Sequence, residues 1–242
     1  MIDQQLMAII FIDYDNLLPM QKSAGILDVV TKVLVQVPWD NATTRGSCEV
    51  RVYGGWYEGN QITRMAEQLT VRLQDEFPAI IRVPLGNNVT LSLKTTAELA
   101  VALLQEPDHH MFNTYRRKGK PANVKVQEPV DVGCVDTDCV LHQMKKLLQS
   151  GRCPKVGCSV STCDLVYRIE QKIVDTMLTC DMIHSVDRVS GRVILVSGDD
   201  DFLPPIRTVL LRDGAVVRCH PKPNAQRTTF PHWGSQFIEV DL

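Results

Sequence analysis

Met7-Ala-Ile-Ile-Phe-Ile-Asp13 is a continuous apolar run that ends in a carboxylate. That is the pattern of a strand buried on both faces of a parallel sheet. Ile26 to Val37 reads as a helix stopped by Pro38. Glu49-Val-Arg-Val-Tyr-Gly-Gly55 alternates polar with apolar and closes on paired glycines, which predicts a second strand. Gln61 to Phe77 sets Ile62, Met65, Ala66, Leu69 and Leu73 on one helical face. Ala79 to Val83 predicts a short third strand, ended by Pro84. Strand and helix alternating in this way argue an α/β fold on a mostly parallel sheet.

The rhythm breaks after about residue 105. His109-His110 through Lys125 is polar and basic, a cysteine-rich stretch follows, and Cys139 to Leu148 reads as helical. Near Arg168 the α/β pattern returns. Gln171 to Asp175 leads into a helix over Thr176 to His184, and Arg192-Val-Ile-Leu-Val-Ser197 is the strongest strand of the chain. A helix over Phe202 to Arg212 follows, with strands over Ala215 to Cys219 and Phe237 to Val240. The expected organisation is one α/β domain, its core at about 6–105 and 166–242. A Cys-rich, basic and partly helical insertion fills about 106–165.

Composition narrows the picture. The 242 residues carry 26 Lys+Arg against 28 Asp+Glu, and 44% are hydrophobic. Those proportions exclude a disordered chain, and no apolar run reaches the roughly 18 residues of a membrane span, so no membrane partner is expected. A net charge of −2 excludes binding to nucleic acid by overall positive charge. The N-terminal segment lacks the basic start of a signal peptide, so a reducing, cytoplasmic setting is expected and the eight cysteines are read as thiols or metal ligands rather than disulfides.

The acids explain the flat balance. Ser197-Gly-Asp-Asp-Asp-Phe202 follows the strongest strand and precedes a helix, where open parallel sheets place their sites. Adjacent carboxylates raise one another's pKa, and a hard divalent cation such as Mg²⁺ or Mn²⁺ relieves that repulsion. Against this stands a solvated loop, with Asp201 capping the next helix. The first strand ends alike, in Asp13-Tyr-Asp15-Asn16. Asp175 lies where the chain enters a helix and fits an N-cap equally, while Asp181 is either a second cleft acid or an exposed helix carboxylate. Setting aside the seven acids at 13, 15, 175, 181, 199, 200 and 201 leaves 21 acids against 26 bases.

Four of these segments, in order, resemble the motifs of the NYN family within the PIN-like nuclease superfamily. They are Phe11-Ile-Asp-Tyr-Asp-Asn-Leu17, Tyr53-Gly-Gly-Trp56, Gln171-Lys-Ile-Val-Asp175 with Leu178 and Asp181, and Val196-Ser-Gly-Asp-Asp-Asp-Phe-Leu-Pro204. Gly214, Val216-Val217 and Phe237-Ile238 follow the same pattern. The resemblance implies a PIN-like three-layer α/β/α fold and a metal-dependent ribonuclease. It gives Asp13, Asp175, Asp199 and Asp201 as catalytic ligands of Mg²⁺ or Mn²⁺. Asn16, Ser197 and Lys172 match orienting positions, whereas Asp15, Asp181 and Asp200 carry less weight. Ile173 departs from the family, which has Gly after the lysine.

Cys134-x4-Cys139 and Cys153-x4-Cys158 have the two-pair layout of a closed structural Zn²⁺ site, with Cys163 and His142 as spare ligands. Partly buried thiols in a helical insertion fit the spacing as well. Arg116, Arg117, Lys118 and Lys120 form a basic run suited to an RNA backbone, or a solvated loop. Tyr115, Trp56, His220 and Trp233 are candidates for stacking on bases, although the apolar surroundings of Trp56 and Trp233 fit core aromatics better. The expected activity is hydrolysis of RNA phosphodiester bonds, with endonucleolytic cutting. The competing readings are a deoxyribonuclease acting on structured or single-stranded DNA, a non-catalytic RNA-binding module on the same fold, and, more weakly, an Asp-nucleophile phosphatase. The oligomeric state is left open between monomer and homodimer.

Overall fold

The computed structural model describes residues 5–39, 44–86, 88–119, 125–228, 230 and 233–242. The chain divides into two compact units, one comprising Met1–Thr114 with Lys172–Leu242 and the other Tyr115–Gln171. The second unit thus begins and ends later than the 106–165 insertion read from composition.

The chain begins with strand β1 (Leu6–Asp13), helices α1 (Pro19–Ala24) and α2 (Ile26–Gln36), and strand β2 (Arg45–Tyr53). The short strands β3 (Tyr57–Glu58) and β4 (Gln61–Ile62) precede helix α3 (Arg64–Glu76) and strands β5 (Ala79–Gly86) and β6 (Val89–Leu99). The second unit holds β7 (Tyr115–Gly119), α4 (Val140–Ser150), α5 (Thr162–Leu165) and β8 (Tyr167–Gln171). The first unit resumes with α6 (Val174–Ser185), β9 (Arg192–Val196), α7 (Leu203–Leu211), β10 (Ala215–His220) and β11 (Phe237–Asp241).

Seven strands of the first unit make one sheet in the order β11-β10-β9-β1-β2-β6-β5. Every neighbouring pair is parallel except β5 with β6, which is antiparallel. The apolar run of β1 is buried on both faces, as its lack of alternation requires. Ala8, Ile10 and Ile12 face one hydrophobic cluster with Val29, Val30 and Val33 of α2 and Leu69 and Leu73 of α3. Ile9 and Phe11 face the other, with Val174, Met177 and Leu178 of α6 and Ile206 and Val209 of α7. Helices therefore cover both faces of the sheet. The first unit is an α/β fold with a large, mostly parallel sheet.

The long strand β6 lies outside the elements read from the sequence, although Leu91, Leu93 and Thr95 alternate inward with polar Thr90, Ser92 and Lys94 between them. It pairs with β2 in parallel and with β5 in antiparallel, so it carries the sheet past the second strand. Helix α3 starts at Arg64 rather than Gln61, because Thr63 caps it by accepting a hydrogen bond from the Ala66 amide and the residues before it form the β3–β4 pair.

In the second unit β7 and β8 pair antiparallel, with Tyr115 opposite Gln171 and Arg116 opposite Glu170. Among its described residues no apolar side chain is buried. Among the described residues of the whole chain, no helix is long and apolar enough to cross a membrane.

Candidate functional site

Strands β1 and β9 lie side by side with Ile12 opposite Val196, so their carboxyl ends finish level. From β1 the sheet extends through β2, and from β9 it extends the opposite way through β10 to β11. The strand order therefore reverses between β1 and β9, the place where open α/β sheets form a crevice at their carboxyl edge. Asp13 ends β1 there, and Ser197 to Asp201 leave β9 beside it.

Asp13, at this edge, is only 6% exposed. Its Oδ2 accepts hydrogen bonds from Ser197 Oγ at 2.9 Å and Asn16 Nδ2 at 2.6 Å. The same two residues hold the facing loop. Asn16 Oδ1 accepts from the Gly198 amide at 3.3 Å, and Ser197 Oγ accepts from the Asp199 amide at 3.1 Å. Asp199 Oδ1 in turn accepts from the Asp201 amide at 2.9 Å and caps a short 3-10 turn over Asp200–Phe202. Asn16 and Ser197 thus fix Asp13 and the acidic loop to one another.

Asp175 lies in the first turn of α6. Partial burial raises its pKa, and the negative charges of Asp199, Asp201 and Asp15 raise it further. Burial likewise raises Asp13, against its hydrogen bonds to Ser197 and Asn16 and with repulsion from Asp175 and Asp15. Asp15, loosely paired with Lys22 at 4.0 Å, is raised by burial as well. Asp13, Asp15, Asp175, Asp199 and Asp201 therefore share one field of like charge. Among the described residues none of Asp13, Asp175, Asp199 or Asp201 forms a salt bridge.

This donor set fits a divalent cation. It consists of hard carboxylate oxygens, Asp13 has only neutral hydrogen-bond partners, and its mutual repulsion is relieved by a positive ion. Among the described residues no group of three or more His, Cys, Asp or Glu side chains is placed to hold a metal ion. Mg²⁺ is commonly held by one or two carboxylates with water filling its remaining positions.

The entry to α6 has an unusual backbone. Ile173 caps the helix at φ +62°. This left-handed conformation suits glycine and is an outlier for a β-branched residue. Ile173 therefore has a glycine-like backbone, at a strain of roughly 1–3 kcal/mol. Lys172, beside it, donates its backbone N–H to the Thr114 carbonyl at 3.0 Å.

Asp181 belongs elsewhere. It is 1% exposed and accepts from Tyr53 Oη at 2.6 Å and the Leu104 amide at 2.8 Å, with Arg51 Nε at 3.5 Å. Asp200 points away from the other acids to Arg218, at 3.0 Å. Arg218 is a residue the sequence reading passed over. It is fully buried and also donates to the carbonyls of Ser197 at 3.3 Å and Asp199 at 2.8 Å, bracing the acidic loop from β10. A lone arginine within Ala215-Val-Val-Arg-Cys219 was the signal, since a charge in a buried strand needs partners.

Two of the aromatic candidates for stacking, Trp56 and His220, are core residues at 0% and 2% exposed. Trp56 donates Nε1–H to the Val52 carbonyl, and its ring occupies the space a Cβ on Gly54 would take, 2.6 Å away. His220 meets Glu239 at 3.0 Å.

In the second unit the Cys134 thiol is hydrogen-bonded to Cys139, which raises its pKa. Cys153 and Cys158 bound a loop in which Gly157 has φ +82°, and Arg152 bridges Ser161 just outside it. Cys163 is exposed. His142 Nε2 is buried and has no hydrogen-bond partner. Arg116 is half-buried on β7, and the backbones of Arg117 and Lys118 continue that strand. Lys120 lies outside the described residues.

No family model matches the chain, and no curated protein or solved structure matches it either.

Proposed function

We propose that the chain is a metal-dependent ribonuclease of the NYN type within the PIN-like superfamily, hydrolysing RNA phosphodiester bonds. The observation that carries this reading is that Asp13 and the Ser197–Asp201 loop leave adjacent parallel strands where the strand order reverses, tied together by Asn16 and Ser197, with Asp175 in electrostatic reach of Asp199 and Asp201. Asp13 with Asp199 or Asp201 would hold Mg²⁺ or Mn²⁺, water completing its coordination, and Asp175 would hold a second ion or orient water. Such an ion makes its bound water more acidic and offsets the charge that develops on the phosphoryl oxygens.

The chain's own residues prepare that chemistry. Asn16 and Ser197 keep Asp13 in one orientation and tie the acidic loop to it, so the ligands do not need ordering when substrate arrives. Arg218 holds the same loop by its carbonyls from behind and draws Asp200 out of the set. Asp13 is itself largely shielded from bulk water, which strengthens its attraction for a cation. The preference for RNA over DNA rests on the four-motif resemblance.

Incubation of labelled RNA and the matching DNA with Mn²⁺, Mg²⁺ or EDTA, beside Asp199→Asn, tests the proposal. Cleavage of RNA should require metal and fall on the order of 10³-fold in the variant, about 4 kcal/mol of barrier. Asp13, Asp15 and Asp175 have raised pKa values and so take up protons above the ordinary carboxylate range. Cleavage should therefore fall on acidification through that raised range, and added Mn²⁺ should move the loss to lower pH. Cutting that survives both EDTA and the substitution would overturn the reading, and preferential cutting of DNA would establish a deoxyribonuclease instead.

A further inference from the structure

Tyr57, His110 and Phe112 bring three rings together on the first unit. Tyr57 and Phe112 meet edge to face with centroids 5.0 Å apart, and His110 lies 6.0 Å from each. Tyr57 Oη and His110 Nδ1 are hydrogen-bonded at 3.1 Å. The backbone fixes the two segments to each other, because the Tyr57 amide donates to Thr114 Oγ1 at 3.0 Å and the Asn113 amide to the Gly59 carbonyl at 2.8 Å. His110 is exposed, and Phe112 is 44% exposed. Packing accounts for Tyr57, which is partly buried against the core, but gives no reason to leave the other two rings in water.

Their place in the fold supplies a reason. Asp13 pairs in register with Tyr53, the last residue of β2. The Tyr14 amide donates to the Tyr53 carbonyl at 2.9 Å, and the Tyr14 ring meets Trp56 with centroids 5.6 Å apart. Tyr57 is the next residue. The rings therefore follow from the carboxyl end of β2, on the same edge of the sheet as the acids. A bound cation offsets the carboxylates at the cut itself, but the strand beyond it gains affinity from groups that do not depend on positive charge. The π faces of exposed aromatics are such groups, because bases stack on them regardless of sequence.

We propose that Tyr57, His110 and Phe112 form a base-stacking subsite for the unpaired strand that enters the acidic crevice. The inference rests on the ribonuclease reading and adds that the substrate is single-stranded beside the cut. A duplex keeps its bases stacked on each other and cannot offer them to the rings.

The test is fluorescence anisotropy with Ca²⁺ in place of Mn²⁺, using a labelled single-stranded RNA, the same strand with abasic sites, and a perfect duplex. Phe112→Ala and His110→Ala, both at exposed positions, should each weaken single-strand binding about tenfold, within the range measured for base–aromatic stacking. Phe112→Tyr should retain binding. Wild-type protein should bind the abasic strand as weakly as Phe112→Ala binds the intact one. The salt dependence should stay the same in every variant, since no phosphate contact is removed. Equal affinity for intact and abasic strands, or tighter binding to duplex, overturns the subsite. If metal-dependent cutting is present and the ring variants match wild type, the subsite fails alone. If wild-type protein neither binds nor cuts RNA, the ribonuclease reading fails and the subsite with it.

Discussion

Asp13 and Asp181 are both buried carboxylates of the first unit, 6% and 1% exposed, yet their surroundings are opposite. Asp181 receives a phenol, a backbone amide and the guanidinium of Arg51. Arg51 in turn pairs with Glu98 and donates to the Ala102 carbonyl at 2.5 Å. Burial alone would lower the Arg51 pKa, but its neighbours Tyr53, Glu98 and Asp181 outweigh it and raise it. Burial also holds Tyr53 well above the ordinary phenol range, so it stays a neutral donor to Asp181. Asp13 receives only an amide and a hydroxyl, and its nearest charges are other carboxylates. The first arrangement is complete and holds β2 to α6. The second lacks a positive charge, which an ion can supply. Helix α6 joins the two, carrying Asp175 at its first turn and Asp181 almost two turns further on.

Removing Asp181 should break the comparison most severely. Asp181→Ala leaves Arg51 and Tyr53 buried without their partner, a loss of roughly 3–5 kcal/mol. Urea titration should show that loss, and added Mn²⁺ should not recover it. A variant as stable as wild type would mean that Asp181 is not the counter-charge described.

A smaller change at the start of the same helix sharpens the other side. Ile173→Gly removes the strain of a β-branched residue at φ +62°, while glycine adds unfolded-state entropy. The net expected gain is about 1 kcal/mol in the same titration. A loss would show that the Ile173 side chain contributes packing that outweighs its backbone strain.

The sequence showed the chemistry of these regions more readily than their partners. Runs such as Met7 to Asp13 and Arg192 to Ser197 are legible because a strand buried on both faces has no polar positions to disguise it. Their acidic ends are legible because carboxylates after such strands are costly without a role. Strand β6 alternates, but its Thr, Ser and Lys positions break the apolar run that marks β1, and its place beside β2 depends on long-range pairing. For Asp181, helical periodicity gives its angle relative to Asp175, whereas the Tyr53 hydroxyl that binds it is 128 positions away. Arg218 was visible only as a misplaced charge, since the carbonyls it braces belong to a different strand end. Trp56 had the composition of a stacking residue and the burial of a core one, and exposure went to its neighbour Tyr57 and to Phe112.

The central claim is that like charge gathered around Asp13 is held in the fold for a divalent ion. Raised carboxyl pKa values mean that the folded protein binds protons more tightly than the unfolded chain, so the ionised carboxylates cost stability above their folded pKa. Acidification, a cation or neutral substitution should each relieve that cost. The direct measurement is the thermal midpoint at neutral pH of wild type and Asp13→Asn, each in EDTA and in saturating Mn²⁺. In EDTA the variant should melt a few degrees above wild type, because the asparagine oxygen still accepts from Ser197 and Asn16 without the charge. Mn²⁺ at about 100 times its Kd should add about 2.7 kcal/mol to wild type, or roughly 5–10 °C, and little to the variant. Equal Mn²⁺ shifts in the two proteins, or a variant less stable than wild type in EDTA, would contradict the account.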